Sequence, residues 1–438
     1  MDERILNRLT APTKPAGQER SAVVRHLRWY ICGLLFFATT VNYIDRQVLG
    51  MLKPVLEREL NWKESEYGWI VFAFQCAYAV MMPIAGRIID WLGTRIGYAL
   101  AVLVWSLASM SHSLARNAMQ FALARFALGI GEAANFPAAI KTVADWFPQR
   151  ERALATGIFN SGTNVGAIVA PLMVPFLAVR FGWRSAFLVA GSLDLIWIVA
   201  WLAMFRRPRE HQRLSASELA LIESDRENET QQRVPYTRLL TKRAAWAFLV
   251  GKFMTDPVWW FYLYWLPGFL NATYQLDLSH LGPPLVVIYV AADVGSIGGG
   301  WLSSRLLSRQ WSVTAARKTA MLVCAAAVLP VAAIMFVGHN LWLVVALVGL
   351  AAAAHQGWSA NLFTLPSDTF PRAMVGSVVG LGGLGGAVGG MLVSPVIGYW
   401  LDFSHGAYGP LFFVAGSMYL VALGIIHLLV PRLEQSVL

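Results

Sequence analysis

Long apolar runs constrain the fold of this sequence more than any other feature. Each is about 20 residues long, enough for a helix to cross roughly 30 Å of hydrocarbon. Only 14% of the 438 residues are charged, against about 25% in soluble domains. We therefore expect an all-α integral membrane protein with twelve transmembrane helices. The runs lie at 29–52, 67–89, 95–113, 117–140, 152–179, 185–205, 244–270, 283–307, 317–337, 340–365, 373–401 and 409–431.

A polar, basic segment divides these runs into two sets of six. Within it, the Ser215-x-x-Glu218 spacing matches a capping box and predicts a short helix around Ser217–Arg226. The predicted organisation is an N-terminal tail (1–28), an N-terminal six-helix bundle (29–205), a central loop (206–243), a C-terminal six-helix bundle (244–431) and a C-terminal tail (432–438).

The distribution of Lys and Arg predicts the orientation in the membrane. Most of the 35 basic residues fall in the tails and in the alternate loops on the same side. The positive-inside rule then places both termini in the cytoplasm of a multi-pass inner-membrane protein. The net charge of +10 follows from this bias, so we expect no nucleic-acid partner. The three cysteines all fall in apolar runs and indicate no disulfide framework.

The two halves share a repeated pattern. Asp145-Trp-Phe-Pro148 precedes a Gly-rich run with a proline at Pro171, and Asp368-Thr-Phe-Pro371 precedes another with Pro395. Matching units at corresponding places indicate two pseudo-symmetric six-helix bundles. Parallel repeats with a binding site between them near the membrane midplane are a known transporter design.

Four charged residues lie deep inside two of the apolar runs. Asp45 and Arg46 lie in the first run, and Arg125 and Glu132 in the fourth. A charge at that depth costs about 2.5–3.5 kcal/mol on insertion scales, so such residues are rare unless they are paired, face water or serve a function. We interpret them as the working residues of a transporter for an organic anion coupled to protons.

Several motifs resemble those of the major facilitator superfamily over nearly the whole chain. Gly86, Asp90, Gly93 and Arg95 fit its G-x-x-x-D-x-x-G-x-R loop motif. In that family the aspartate and arginine help to close the cytoplasmic side, so the resemblance implies a cytoplasmic gate here. NYIDR (42–46), RFALGIGEAANFP (125–137), DWFPQRERALATGIFNSG (145–162) and FYLYWLP (261–267) resemble the anion:cation symporter group, and further stretches resemble the bacterial hexuronate transporters.

The resemblance implies roles for the buried charges. Arg46 would anchor the substrate carboxylate, which its planar fork suits, and Tyr43 lies on nearly the same helix face. The alternative for Arg46 is an internal ion pair with a neighbouring acid. Asp45 and Glu132 are the proton candidates, because burial disfavours a charged carboxyl and a nearby arginine favours it. In the family an arginine–glutamate pair couples protons, and Arg125 with Glu132 fits this role.

The C-terminal half offers polar and aromatic candidates for the rest of the substrate. His355 precedes Asp368 by the same interval as Glu132 precedes Asp145, which predicts pseudo-symmetric positions. The alternative for this histidine is a helix–helix hydrogen bond. Lys252 and Asp256 have the i, i+4 spacing of an ion pair. The other candidates for substrate contacts are Tyr262, Gln356, Trp358 and Asn361 in this half and Tyr78, Asn160 and Asn164 in the first.

The sequence thus predicts a proton-coupled symporter that imports a hexuronate such as galacturonate or glucuronate by alternating access, working as a monomer. It predicts no metal site, no cofactor other than protons as the coupling ion, and no catalytic residue. Another carboxylate (aldonate, glucarate or aromatic acid), a transporter-derived sensor, an uncoupled anion channel and a membrane enzyme using Asp45, Glu132 and His355 remain alternatives. Asp194, a further acid inside an apolar run, receives no role.

Overall fold

Helices make up nearly all of the chain that the structure, a computed structural model, describes: residues 26–223, 236–337, 340–370 and 372–433. Residues 1–25 of the predicted N-terminal tail, 224–235 of the central loop and 434–438 of the C-terminal tail lie outside these ranges.

The N-terminal half contains seven helices because its fourth apolar run is divided in two at Ala133–Ala134. Its helices are α1 (Leu27–Leu60), α2 (Glu64–Leu92), α3 (Thr94–Ser111), α4 (Ala118–Glu132), α5 (Asn135–Trp146), α6 (Gln149–Phe181) and α7 (Trp183–Met204). The central loop contains α8 (Ala216–Glu223) and α9 (Tyr236–Leu239).

The C-terminal half repeats this order, and a short helix, α14, again follows its fourth long segment. Its helices are α10 (Arg243–Tyr274), α11 (Gly282–Ser308), α12 (Val313–Val328), α13 (Leu341–Leu362), α14 (Leu365–Thr369), α15 (Arg372–Phe403) and α16 (Gly409–Leu429). Short 3₁₀ segments occur at His112–Leu114, Pro208–Glu210 and Leu329–Phe336.

Nine helical segments of the described residues are long and apolar enough to cross a membrane. The three other predicted spans correspond to α1, the α4–α5 pair and α10. Buried polar or charged residues such as Arg46 and Lys252 lie in α1 and α10, and α4 alone has only 15 residues. In α1, the polar residues that lower the hydropathy include Arg46 and other residues of the candidate site.

The two halves pack through corresponding helices. Helix α1 contacts α10, α2 contacts α15, and α6 contacts α11. Exchanging the halves converts the α2–α15 contact into the α11–α6 contact, as expected for a pseudo-two-fold relation between repeats. This arrangement places α1 and α10 side by side at the centre of the interface.

Contacts between the halves are tight at the end of the helices away from the central loop, which we call the hairpin end. The carboxylate of Asp402 in α15 accepts hydrogen bonds from the backbone N–H groups of Glu64 and Ser65, both at 2.9 Å. It thereby caps the first turn of α2, where free N–H groups favour an anion. A Cβ atom on Gly68 would lie 2.7 Å from the carbonyl oxygen of Ser394, so only glycine permits this approach.

At the opposite end, which we call the loop end, two ion pairs of the described residues each lie within one half, and a third joins Arg28 of α1 to Glu218 of the central loop. Lys141 binds Asp90 at 2.5 Å in the N-terminal half, and Arg317 binds Asp368 at 3.0 Å in the C-terminal half. In the central loop, Ser215 accepts a hydrogen bond from the N–H of Glu218 at 3.1 Å, which confirms the serine half of the predicted capping box. The Glu218 carboxylate instead accepts hydrogen bonds from the backbone N–H groups of Leu27 and Arg28. The contacts of Asp402 with α2 thus join the two bundles at the hairpin end.

Candidate functional site

A buried ion pair joins the two helices that carry the membrane charges. The Nε of Arg46 in α1 lies 2.5 Å from Oε2 of Glu132, the last residue of α4. The Arg46 side chain is only 2% exposed and Glu132 is fully buried. A buried pair of this kind replaces the lost hydration of both charges only when its geometry is good. The internal partner considered for Arg46 from the sequence is therefore Glu132.

Aromatic rings surround the Arg46 guanidinium. Its central carbon lies 4.7 Å from the ring centre of Tyr78, 5.1 Å from Tyr43 and 5.4 Å from Phe74. A fourth ring, Trp260 of α10, lies at 5.8 Å and belongs to the other half of the molecule. Cation–π contacts at these distances stabilise a guanidinium without neutralising it. The cation thus lies where the two halves meet.

Hydrogen-bonding capacity is left unused on both members of the ion pair. Nη2 of Arg46 and Oε1 of Glu132 have no hydrogen-bond partner among the described residues. Buried polar groups without partners are uncommon in native proteins and call for an explanation. A guanidinium offers its remaining N–H groups in a fixed planar arrangement that fits a carboxylate.

Arg125 supports the backbone rather than forming the predicted direct pair with Glu132. Its Nη2 donates a hydrogen bond of 3.2 Å to the carbonyl oxygen of Arg46, and its Nε and Nη1 have no partner among the described residues. Residues seven apart share a helix face but are separated by about 10.5 Å along the axis. The salt bridge of Glu132 therefore goes to Arg46, and Arg125 interacts with Glu132 only electrostatically.

Asp45 lies next to Arg46 in sequence but points to a different set of helices. The hydroxyl of Ser109 in α3 donates a hydrogen bond of 2.5 Å to its Oδ1. The carboxyl of Asp194 in α7 lies against it, within range of a hydrogen bond between the two groups. Successive residues of a helix project about 100° apart, which explains why the two neighbours have separate surroundings.

The C-terminal half places His355 in an aromatic cluster. Its Nδ1 lies 2.6 Å from the hydroxyl of Tyr419, and its ring stacks on Trp259 at 5.2 Å with an interplanar angle of 7°. Lys252 and Asp256 form the predicted i, i+4 ion pair at 2.8 Å, which confirms it. The buried cation of this half is therefore already neutralised.

The other substrate candidates of the C-terminal half differ in their surroundings. The side-chain amide of Asn361 donates to the carbonyl oxygens of Gly299 and Gly357, both at 2.9 Å, so it joins α13 to α11. Trp358 is buried edge-on against Tyr419, at 5.5 Å.

Further candidates from both halves differ in exposure. Tyr262 is buried, with its hydroxyl unpartnered among the described residues. Gln356 is half-buried, as is Asn164 in α6, whereas Asn160 one turn earlier is exposed.

The residues of the predicted gate lie at the loop end and contact their own half. Arg95 donates a hydrogen bond of 2.7 Å to the carbonyl oxygen of Leu202. Gly93 joins α2 to α3 with φ of +76°, a conformation that favours glycine. A Cβ atom on Gly86 would meet no described atom within 4 Å. Together with the Asp90–Lys141 pair, these contacts hold the loop end of the N-terminal bundle.

Some residues of the site could not be found from the sequence. Phe74 and Ser109 carry no special signal in a run of apolar and small residues. Lys53 follows the first apolar run and reads as part of a loop, but α1 continues and buries it between Glu57 and Glu64, each at 2.6 Å. The sequence shows that Asp194 lies deep in an apolar run, but it does not show that Asp45 is its neighbour.

Comparison with known proteins identifies the family. Residues 35–394 match the Major Facilitator Superfamily. This chain belongs to that superfamily. The hexuronate transporter of Escherichia coli (strain K12) is 33% identical over 396 residues, which cover 89% of this chain and 91% of that protein. The galacturonate transporter of Dickeya chrysanthemi is 32% identical over 283 residues, 64% of this chain and 82% of that protein.

The solved structures agree with the family assignment. The crystal structure of the D-xylose-proton symporter aligns with 94% of this chain and 99% of the symporter chain, with a TM-score of 0.74. At 14% sequence identity, this likeness shows the fold alone. The predicted all-α membrane fold of the major facilitator type is confirmed. The chain is a multi-pass membrane transporter and not an enzyme, and the two relatives named above are described as hexuronate and galacturonate transporters.

Proposed function

We propose that this transporter is a proton-coupled symporter that imports a hexuronate such as galacturonate or glucuronate. The observation that carries the proposal is the buried Arg46–Glu132 ion pair within an aromatic cage, with N–H capacity left on the arginine. A carboxylate substrate can use this capacity, and the rings of Tyr43, Tyr78 and Trp260 can pack against the sugar. The substrates named for the relatives are sugar acids, which supports this class.

Exchange of partners at Arg46 provides the coupling. The substrate carboxylate competes with Glu132 for the guanidinium, and a carboxylate that loses its cation in a buried site takes up a proton to avoid an uncompensated charge. Glu132 would therefore be protonated as the substrate binds, and Asp45 is the second proton site. When the substrate leaves, Arg46 recovers Glu132 and the proton is released.

Alternating access follows from the different contacts at the two ends. The halves are latched at the hairpin end through Asp402 and α2, and each holds its own ionic contacts at the loop end. With the positive-inside orientation, the loop end faces the cytoplasm, together with both termini. In this proposal, the described conformation is the one closed to the outside. We place the protein in the inner membrane as a monomer with protons as its coupling ion.

Uptake into proteoliposomes tests the function. Purified protein is reconstituted, an inward proton gradient is imposed, and labelled galacturonate or glucuronate is followed with and without a proton ionophore. We expect accumulation above equilibrium that the ionophore abolishes. Uptake that ignores the ionophore would contradict coupling, and competition with unlabelled aldonate, glucarate or aromatic acids would reveal a different substrate. Empty liposomes serve as the control.

A further inference from the structure

A buried acid, Asp194, has no role in the cycle proposed above. It lies in the middle of α7 and is 1% exposed. Neither of its oxygens receives a hydrogen bond from an N–H or hydroxyl group of the described residues. The indole of Trp105 adjoins it without forming a hydrogen bond of ordinary geometry. An ionised carboxylate left this bare inside a membrane bundle would be very costly.

The neighbour that explains Asp194 is the other carboxyl. Asp45 of α1 lies against it within hydrogen-bonding range. Ser109 of α3 donates to Oδ1 of Asp45, whereas Oδ2 has no donor among the described residues. Asp45 thus has one oxygen satisfied by a hydroxyl and one left for a further donor. A protonated Asp194 is such a donor.

The surrounding charges offer no other solution. Arg125 interacts electrostatically with Asp45, but its described hydrogen bond goes to the Arg46 carbonyl oxygen. Glu132 of α4 and Tyr98 of α3 also lie within electrostatic range of Asp194, and neither supplies a positive charge. Two adjoining carboxylates in a buried site cannot both be ionised. One proton between them removes one of the two charges and gives Oδ2 of Asp45 a donor.

We propose that Asp194 carries a resident proton and donates it in a hydrogen bond to Asp45, so that Asp45 receives each coupling proton as a member of a carboxyl pair. Asp194 is then a positioning residue for the proton site. The effect of Asp194 on transport depends on the proposed proton coupling. The presence of a proton shared by Asp194 and Asp45 does not depend on it. Each coupling proton forms an O–H bond on the Asp45 carboxylate and breaks it again on release, and no other covalent bond changes.

Infrared spectroscopy tests the resident proton without transport. A protonated carboxyl has a C=O stretch distinct from that of a carboxylate, and it shifts in deuterated water. We expect the purified wild-type protein at neutral pH to show such a band and Asp194→Asn to lose it. The matched control, Asp256→Asn, removes an acid that is ion-paired with Lys252 and should keep the band. A wild-type spectrum without any band that Asp194→Asn removes overturns the proposal.

The pH dependence of uptake tests the consequence for Asp45. Asp194→Leu removes the donor that stabilises charged Asp45, so Asp45 holds its proton to higher pH. The pH of half-maximal uptake should rise by about one to two units. Asp194→Asn keeps an N–H donor and should shift it much less. Equal shifts in both variants contradict the donor role. If wild-type uptake ignores the ionophore, the symport proposal fails while the infrared result still decides whether the proton is present.

Discussion

The two bundles contribute unlike chemistry to the interface between them, although they are built from the same repeat. In the N-terminal bundle, Arg46, Glu132 and Asp45 are buried charges with unused hydrogen-bonding capacity. In the C-terminal bundle, Lys252 and Asp256 neutralise each other, and His355 bonds to Tyr419 and stacks on Trp259. The buried groups left without a partner among its described residues, such as the Tyr262 hydroxyl, are neutral.

This difference suggests a division of labour. Charged groups that must exchange partners need unused hydrogen-bonding capacity, which lowers stability, whereas groups that only shape a surface need carry no free charge. We therefore assign anion binding and protons to the N-terminal bundle, and discrimination among sugars to the C-terminal bundle.

The largest expected effect comes from removing the cation. Arg46→Ala removes the proposed carboxylate anchor, and since a hydrogen bond to a charged group is worth about 1.5–3 kcal/mol, affinity should fall by about 10- to 150-fold. Binding of galacturonate to purified protein, followed by calorimetry, checks this. Arg46→Lys keeps the charge without the planar fork, and its affinity should lie between those of the wild type and Arg46→Ala. Unaltered affinity in a well-folded Arg46→Ala protein would refute the anchor.

Next in size is the loss of coupling in Glu132→Gln. The amide cannot take up a proton, so gradient-driven accumulation should disappear, while counterflow exchange, which needs no net proton movement, should persist. Both are measured in the same proteoliposomes. Glu151→Gln is the control because Glu151 pairs with Arg28 at 2.9 Å, at the loop end and away from the site. Accumulation that survives in Glu132→Gln would show that the coupling proton binds elsewhere.

The sequence predicted the helices and the important charges better than it predicted the contacts between them. Hydropathy finds each membrane run because the bilayer requires about 20 apolar residues, and buried charges stand out within those runs. Which charges meet depends on how helices rotate against one another. Periodicity places Arg125 and Glu132 on one face of their own run, but it gives no relation between α4 and α1, so the Arg46–Glu132 pair was not specified.

The same limit applies to Asp194. Its contact with Asp45 requires α1, α3 and α7 to pack together, and no local pattern in the sequence reports that packing. The Lys252–Asp256 pair was found because it lies within one helix, where spacing alone determines contact.

A smaller effect is expected from the C-terminal bundle. His355→Phe keeps a ring that can stack on Trp259 but loses the hydrogen bond to Tyr419. This internal bond positions the His355 ring and is worth about 0.5–1.5 kcal/mol, so affinity for hexuronates should fall by no more than about 2- to 10-fold. Competition by galacturonate, glucuronate and a carboxylic acid without hydroxyls separates the roles. If the hydroxyl-free acid loses as much affinity as the sugars, the C-terminal bundle does not discriminate among sugars. Tyr419→Phe, which removes the same hydrogen bond from the other side, should reproduce the pattern.

The smallest effect is expected from a variant that leaves the C-terminal bundle with an unneutralised cation. Asp256→Asn leaves Lys252 without its counter-charge, and a free ammonium would attract the second carboxylate of a dicarboxylic sugar acid. Since a partly buried pair at this spacing is worth at most about 1 kcal/mol, inhibition of uptake by glucarate should strengthen by about 5-fold or less relative to galacturonate. The double variant Lys252→Gln/Asp256→Asn has no free cation and should lose the gain. A single variant in which glucarate inhibits no better than in wild type would mean that Lys252 does not face the substrate, and the neutral character of this bundle would then serve packing alone.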